Sequence, residues 1–141
     1  MTNKPLPPFS AKFSPQVPEI LFQLNCTIAL STYQAGKVVF LSADKPDKLV
    51  QLSRTFEGAM GIATATNKLA VACKSEVHVM VNTASMAQAY PPKPKTYDAL
   101  YLPQATYYTG QLSLHDMHWK GNELFAINTL FLLLSLSATF L

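Results

Sequence analysis

One pattern recurs along this chain and constrains its fold more than any other feature: a short apolar segment, a tight turn and another short apolar segment. The clearest copy lies between Met60 and Val81. Its apolar segments occupy residues 60–63, 69–73 and 77–81. Short apolar segments joined by tight turns are typical of antiparallel β-meanders. The sequence therefore predicts an all-β protein.

A second copy of the pattern follows further along the chain. Its apolar segments occupy residues 117–119, 123–127 and 131–135. Gly121-Asn122 and Asn128-Thr129 take the turn positions between them. The spacing between the copies is typical of the blades of a β-propeller. We therefore expect an incomplete β-propeller of roughly two to three blades, with a β-sandwich or a jelly roll as the structural alternative.

A hairpin precedes both copies. Residues 26–32 and 38–42 are apolar segments on either side of a turn that contains Gly36, where we expect a positive φ. Residues 48–56 alternate between polar and apolar side chains and predict a further strand. Because inward-facing positions alternate along a strand, we expect four of these side chains to be buried. They are Val39, Ile62, Leu69 and Val71.

The segments outside the repeats define the domain organisation. Residues 1–18 contain five prolines and form a proline-rich lead-in, and residues 19–141 form the partial propeller domain. Within that domain, residues 84–110 contain four prolines and five tyrosines, which is typical of an insertion between blades. The chain ends inside a repeat, so we expect a truncated form of a longer architecture. The sequence does not establish whether the truncation is natural.

The last segment of the chain, residues 124–141, carries no charged side chain. A terminal blade without a neighbour would expose apolar surface and an unpaired strand edge, so we expect the chain to self-associate. The apolar residues concerned are Phe131, Leu132, Leu133, Leu134 and Leu136. The segment is also long enough for a transmembrane helix. A membrane anchor therefore stands as the alternative to the strand prediction.

Charge and cysteine usage argue against several classes of protein. The net charge of +3 comes from scattered lysines and a single arginine, Arg54, so we expect no nucleic-acid partner. The N-terminus lacks the apolar core of a secretory signal peptide. Cys26 and Cys73 each stand in an apolar segment, which predicts buried free thiols. These features favour a cytoplasmic protein, with a membrane location as the alternative.

The densest cluster of polar residues is His115-Asp116-Met117-His118-Trp119. In a regular strand, His115 and Met117 would face one side, and Asp116 and His118 the other. A His beside an Asp is suited to contact a ligand or to transfer a proton, although structural hydrogen bonding explains the same pair. The inner strand of a propeller lines its central channel, and seven residues are candidates for a ligand channel. They are Tyr33, Gln34, Lys37, His115, Asp116, Trp119 and Asn128.

Motifs for cofactors and for several reaction types do not occur in the sequence. The spacing around Gly36 and Lys37 is not that of a phosphate-binding loop, and no Gly-x-Ser-x-Gly elbow occurs. The sequence has neither a Cys-x-x-Cys pair nor the His-Glu-x-x-His spacing of a zinc site. We therefore expect no catalytic residue, no metal and no cofactor.

Several motifs, in their order and spacing, resemble a bacterial family of conserved hypothetical proteins that carry a domain of unknown function. The resemblance extends over about residues 22–134. The motifs are STYQAGK at 31–37, Leu-Pro at 102–103, TGQLSLHDMHW at 109–119 and NTLF at 128–131. The resemblance implies a propeller of the six-bladed NHL/YWTD kind, of which this chain would be the N-terminal part. After Phe131 the chain departs from the family pattern.

Three functional hypotheses follow. The first is a binding or interaction module without activity of its own, which the repeats favour because they come without a nucleophile–base pair. The second is an enzyme fragment of the propeller hydrolase or lyase kind that uses His115 and Asp116 in the channel. The third is a small protein anchored in a membrane through residues 124–141. The sequence names no ligand, protein partner, reaction or oligomeric state, and it leaves the enzyme question open with a lean towards a non-enzyme.

Overall fold

The computed structural model describes residues 11–130, 133–134 and 138–139. These residues form two short helices and eleven strands. The helices are α1 (Gln16–Leu24) and α2 (Ala84–Gln88). The strands are β1 (Ile28–Thr32), β2 (Lys37–Lys45), β3 (Lys48–Thr55), β4 (Ile62–Thr64), β5 (Lys68–Ala72), β6 (Glu76–Asn82), β7 (Tyr101–Tyr108), β8 (Leu114–Lys120), β9 (Glu123–Asn128), β10 (Leu133–Leu134) and β11 (Ala138–Thr139).

The strands form three antiparallel sheets, and the prediction of an all-β protein is confirmed. The first sheet has the order β1-β2-β3 and the second has the order β4-β5-β6-β7. In the third sheet, β9 pairs with β8 and also with β10 and β11. The apolar segments at residues 69–73 and 77–81 coincide closely with β5 and β6, because short apolar segments bounded by turns are a local signal of strand structure.

The described residues divide into two compact units. The first contains the residues up to Leu30 together with Val38–Thr55. The second contains Ser31–Lys37 and the residues from Phe56 onwards.

In the first unit, α1 contacts β3. The helix buries Pro18 and Leu21 and carries Glu19 in its first turn, where a carboxylate interacts favourably with the helix dipole. It ends at Asn25, which has a φ of 47° and donates its N–H to the carbonyl of Phe22. Asparagine tolerates this left-handed conformation. The proline-rich lead-in therefore passes into a helix at its C-terminal end, and residues 1–10 lie outside the described part.

The core of the second unit joins two sheets. It consists of ten buried side chains from β4, β5, β6, β8 and β9: Ala63, Ala70, Ala72, Val77, Val79, Leu114, Met117, Trp119, Leu124 and Ala126. The indole N–H of Trp119 in β8 donates a hydrogen bond of 3.4 Å to the carbonyl of Ala63 in β4. Small side chains in β4 and β5 thus face larger ones in β8 and β9, which is how closely packed layers fill space.

The four burial predictions have different outcomes. Leu69 and Val71 are buried, at 2% and 0% exposure. Ile62 and Val39 are only half-buried, so these two predictions are wrong. In β2 the buried residue is Val38, and its neighbour Val39 must therefore point to the opposite face of the strand.

Residues 84–110, which we described as an insertion, contain α2 and β7. β7 pairs with β6 as the fourth strand of its sheet, so the later part of this segment belongs to the sheet. Val79 pairs with Ala105 and Met80 with Pro103, which leaves Gln104 as an extra residue in a β-bulge.

The C-terminal apolar segment begins in β9. The short strands β10 and β11 pair with the two ends of β9, on the side opposite β8. Phe131, Leu132 and Leu136, for which we expected exposure, lie outside the described residues. Neither helix of the described part is long and apolar enough to cross a membrane.

We expect Leu124→Ala to lower the free energy of unfolding by about 2–5 kcal/mol, because the side chain is buried in the core of the second unit and its removal leaves a cavity. Trp119 is the single tryptophan and is itself buried, so its fluorescence during denaturant titration reports the unfolding. Leu102→Ala is the matched control because Leu102 is 37% exposed. Equal losses in the two variants would contradict the described core.

Candidate functional site

A cleft of about 570 Å³ lies in the second unit. Its described lining comes from three separate parts of the chain: the end of β1 and the turn that follows it, the segment before β4, and the start of β8. The lining residues are Ser31, Tyr33, Ala59, Met60, Ser113 and His115. Two of these, Tyr33 and His115, are among the seven residues that the sequence identified as candidates for a ligand channel.

The first wall is built by the turn after β1. The Thr32 hydroxyl donates to the carbonyl of Lys37 at 3.0 Å and accepts the Lys37 N–H at 3.2 Å, which closes the turn. Gly36 has a φ of 57°, as we predicted for this position. The hydroxyl of Ser31 donates to the carbonyl of Met60. This bond joins the end of β1 to the second part of the cleft.

Tyr33 lies against Gly58. A Cβ atom at Gly58 would stand 3.4 Å from Cε2 of the Tyr33 ring and 3.1 Å from Cβ of Lys74. Gly58 also has a φ of 60°, which L-residues with a side chain rarely adopt. Glycine at this position therefore lets the ring approach the backbone, and Tyr33 remains 58% exposed at the edge of the cleft.

Gly61 brings the second and third parts of the cleft together. Its N–H donates to the carbonyl of Leu114 at 3.1 Å. A Cβ atom at Gly61 would stand 3.1 Å from that same carbonyl oxygen and 3.3 Å from Cγ of Met117. Since the contact involves backbone, a side chain here would require β4 and β8 to shift by a few tenths of an ångström. The absence of a side chain at Gly61 thus places Met60 beside Ser113 and His115.

Ser113 is held in an unusual backbone conformation, with a φ of 49°. Its carbonyl accepts the Thr129 hydroxyl at 2.8 Å and the Thr129 N–H at 3.4 Å. The Asn128 side chain accepts the Leu130 N–H at 3.0 Å and so stabilises the turn that we predicted at Asn128-Thr129. A positive φ at a non-glycine residue costs free energy and persists where the surroundings enforce it.

A β-bulge turns His115 towards the solvent. Leu114 pairs with Asn128 and Asp116 with Ile127, so that His115 is the extra residue of the bulge. Our prediction that His115 and Met117 share a face is therefore wrong, because one extra residue reverses the alternation. Leu114 and Met117 are both buried, whereas His115 and Asp116 are both exposed.

The structure does not bring His115 and Asp116 together as a base and its orienting acid. A carboxylate oxygen of Asp116 accepts the N–H of Met117 at 2.8 Å. None of the hydrogen bonds found among the described residues involves the His115 ring. The side chains of this pair are therefore independent of each other.

The other five candidate residues do not line the cleft. Trp119 belongs to the core, and Nζ of Lys68 lies 5.4 Å from the centre of its ring. Asn128 is buried at the end of β9. Gln34 is exposed in the turn, and Lys37 begins β2. Sequence reasoning missed Ser31, Ala59, Met60 and Ser113, because their place in the cleft depends on long-range contacts such as the close approach at Gly61.

The two thiols lie in different environments. Cys73 is buried, as predicted, and its pKa is raised from 9.0 to about 11 by burial and by the carboxylates of Glu76 and Glu57. Cys26 is exposed, which makes the prediction for that residue wrong. It lies in the connection between α1 and β1 and not in a strand. Within the described part of the chain, no group of three or more His, Cys, Asp and Glu side chains is placed to hold a metal ion.

Comparison with family models matches residues 15–139 to DUF4915, a domain of unknown function. This match agrees with the family resemblance seen in the sequence. Searches of the curated proteins and of the solved structures found no match.

We expect a thiol reagent at about pH 8 to modify Cys26 in the native protein and to leave Cys73 unmodified until unfolding, because burial protects Cys73 and holds its thiol in the protonated form. Peptide mass mapping identifies the modified residue. Equal rates at the two thiols would contradict the burial of Cys73.

The raised pKa of Cys73 also predicts a dependence of stability on pH. The folded state binds the thiol proton more tightly than the unfolded state, so this contribution is complete below pH 9.0 and disappears as the pH rises towards about 11. We expect the free energy of unfolding to fall over this range more steeply for the native sequence than for Cys73→Ala. Parallel curves for the two proteins would show that Cys73 makes no such contribution.

Proposed function

The chain belongs to the DUF4915 family, and from its own geometry we propose that it is a binding module whose cleft takes a small, uncharged molecule rich in hydroxyl groups. One observation carries the proposal: three separate parts of the chain converge on one cleft with complementary apolar and polar groups. The cleft volume of about 570 Å³ is in the usual range for small-molecule sites.

The lining offers two kinds of contact. The Tyr33 ring, Met60 and Ala59 provide apolar surface against which the carbon face of a ligand can pack. No hydrogen bond within the described residues involves the hydroxyl of Ser113 or the ring of His115, so both are available to a ligand. A few polar groups on an otherwise apolar wall fix the orientation of a ligand.

The absence of charge in the lining favours an uncharged ligand. The described lining residues include no Asp, Glu, Lys or Arg. A carboxylate or phosphate group entering the cleft would lose hydration without gaining a charged partner there, which costs free energy. Sugars and polyols avoid this cost because hydroxyl groups exchange hydrogen bonds with Ser, Tyr and His side chains.

A propeller architecture would give this cleft a simple explanation. We interpret β4–β7 and the sheet that begins with β8 as neighbouring blades, with β4 and β8 as their innermost strands. The four-stranded antiparallel meander and the hydrogen bond between Gly61 and Leu114 support this interpretation. The cleft would then lie at one end of a central channel. An experimental structure in which β4 and β8 are the strands farthest from the central channel would overturn this interpretation.

The enzymatic alternative for this cleft is less well supported. It requires Asp116 to orient His115, and the Asp116 carboxylate instead accepts the backbone N–H of Met117. The binding module is therefore the function that the contacts favour.

Titration with a panel of neutral sugars and polyols, followed by ligand-observed NMR, tests the proposal. We expect at least one neutral member to bind, and His115→Ala and Ser113→Ala each to weaken its binding by roughly 2- to 13-fold, the effect of one lost hydrogen bond. His118→Ala is the matched control, because His118 is exposed on the same strand and does not line the cleft.

Charged relatives of each sugar, such as the sugar acid and the sugar phosphate, complete the panel. Binding of the charged members alone would overturn the uncharged ligand. Equal weakening by His118→Ala and His115→Ala would mean that the cleft is not the binding site. If no member of the panel binds, the proposal that the cleft takes a hydroxyl-rich ligand is wrong.

A further inference from the structure

A second group of polar side chains lies outside the cleft, where β6 and β7 pair. Glu76 and His78 are two residues apart in β6, so their side chains share one face of the strand. Thr106 of β7 is the register partner of His78. The pairing of the two strands thus brings a carboxylate, an imidazole and a hydroxyl together.

The imidazole of His78 lies between the other two groups. Its Nε2 atom is 2.9 Å from Oε1 of Glu76, and its Nδ1 atom is 3.1 Å from Oγ1 of Thr106. The ring of Phe56 meets the imidazole edge to face, with 5.6 Å between the ring centres. The His78 and Glu76 side chains are 28% and 29% exposed, and Thr106 is exposed. The imidazole is therefore fixed on three sides, while the hydroxyl stays open to the solvent.

The carboxylate of Glu76 determines which nitrogen of a neutral His78 carries the proton. An ionised carboxylate only accepts hydrogen bonds, so Nε2 must donate. Nδ1 of the neutral ring is then an acceptor, and the Thr106 hydroxyl donates to it. A hydroxyl that donates to an imidazole, which in turn is oriented by a carboxylate, is the arrangement that activates nucleophilic hydroxyl groups.

We propose that Glu76, His78 and Thr106 form a reactive site at which the Thr106 hydroxyl accepts acyl groups from carboxylic esters. This site is separate from the cleft and does not depend on the function proposed for it. Thr106 stands on an exposed face of β7, so an ester reaches it directly from the solvent. Thr106 is the nucleophile, His78 is the base, and Glu76 positions the imidazole.

The reaction balances without a cofactor. Oγ1 of Thr106 attacks the carbonyl carbon of the ester, and its proton passes to Nδ1 of His78. The tetrahedral intermediate collapses, the bond to the leaving oxygen breaks, and that oxygen departs as the alcohol with the proton from His78. The products are an ester of Thr106 and the free alcohol, and no group is oxidised or reduced. The carboxylate of Glu76 stabilises the imidazolium that forms in between.

The experiment uses the full chain and p-nitrophenyl acetate. We expect release of nitrophenol together with one acetyl group on the peptide that contains Thr106, located by fragmentation mass spectrometry. Thr106→Val should abolish this acetylation, because it removes the hydroxyl and keeps the shape of the side chain. His78→Gln should slow it by about 100-fold, the lower end of what a positioned base contributes. Thr106→Ser should keep it.

Two further variants separate reactivity from folding. Thr64→Val removes an exposed threonine hydroxyl from β4 of the same sheet and should leave acetylation at Thr106 unchanged. Trp119 fluorescence verifies that each variant is folded. If acetyl groups are found on His78 or on lysines but not on Thr106, the proposal is overturned. It is also overturned if Thr106 in folded His78→Gln is acetylated as fast as in the native sequence.

Discussion

The close approach of β4 to β8 at Gly61 is the contact on which the second unit depends. The N–H of Gly61 donates to the carbonyl of Leu114 at 3.1 Å, and a Cβ atom at Gly61 would crowd that carbonyl oxygen. From this point the two sheets continue into the core, where the Trp119 indole bonds to the carbonyl of Ala63. The core and the cleft therefore depend on the same contact, because the packing that buries Trp119 also places Met60 beside His115.

Two local irregularities adapt this packed structure to hold a cleft. The bulge at His115 adds one residue to β8, so that Leu114 and Met117 are both buried while His115 is exposed. The positive φ of Ser113 turns the chain just before it, and Thr129 holds that turn through two hydrogen bonds. Regular strands would have directed these side chains by alternation alone. Irregular backbone beside regular sheets is a common way to aim functional groups.

The local parts of the fold were predictable from the sequence, and the long-range parts were not. Short apolar segments between tight turns identified β5 and β6, and the glycine of the first turn predicted the positive φ of Gly36. β7 was missed because Pro103 and the tyrosines around it are typical of loops, whereas its pairing with β6 connects distant residues. Tyr33 and His115 were identified singly by residue type. Their convergence depends on Gly61, and no local pattern reports a contact between backbones.

The bulge of β7 has a consequence for how this sheet meets other molecules. β7 is the last strand in the order β4-β5-β6-β7, so no strand of the described residues pairs with its outer edge. Pro103 supplies no N–H for further pairing, and the extra residue Gln104 bends the strand next to it. A strand that approached from another chain would find an interrupted row of donors and acceptors. The outer edge of β7 is therefore poorly suited to pair with a strand of another chain.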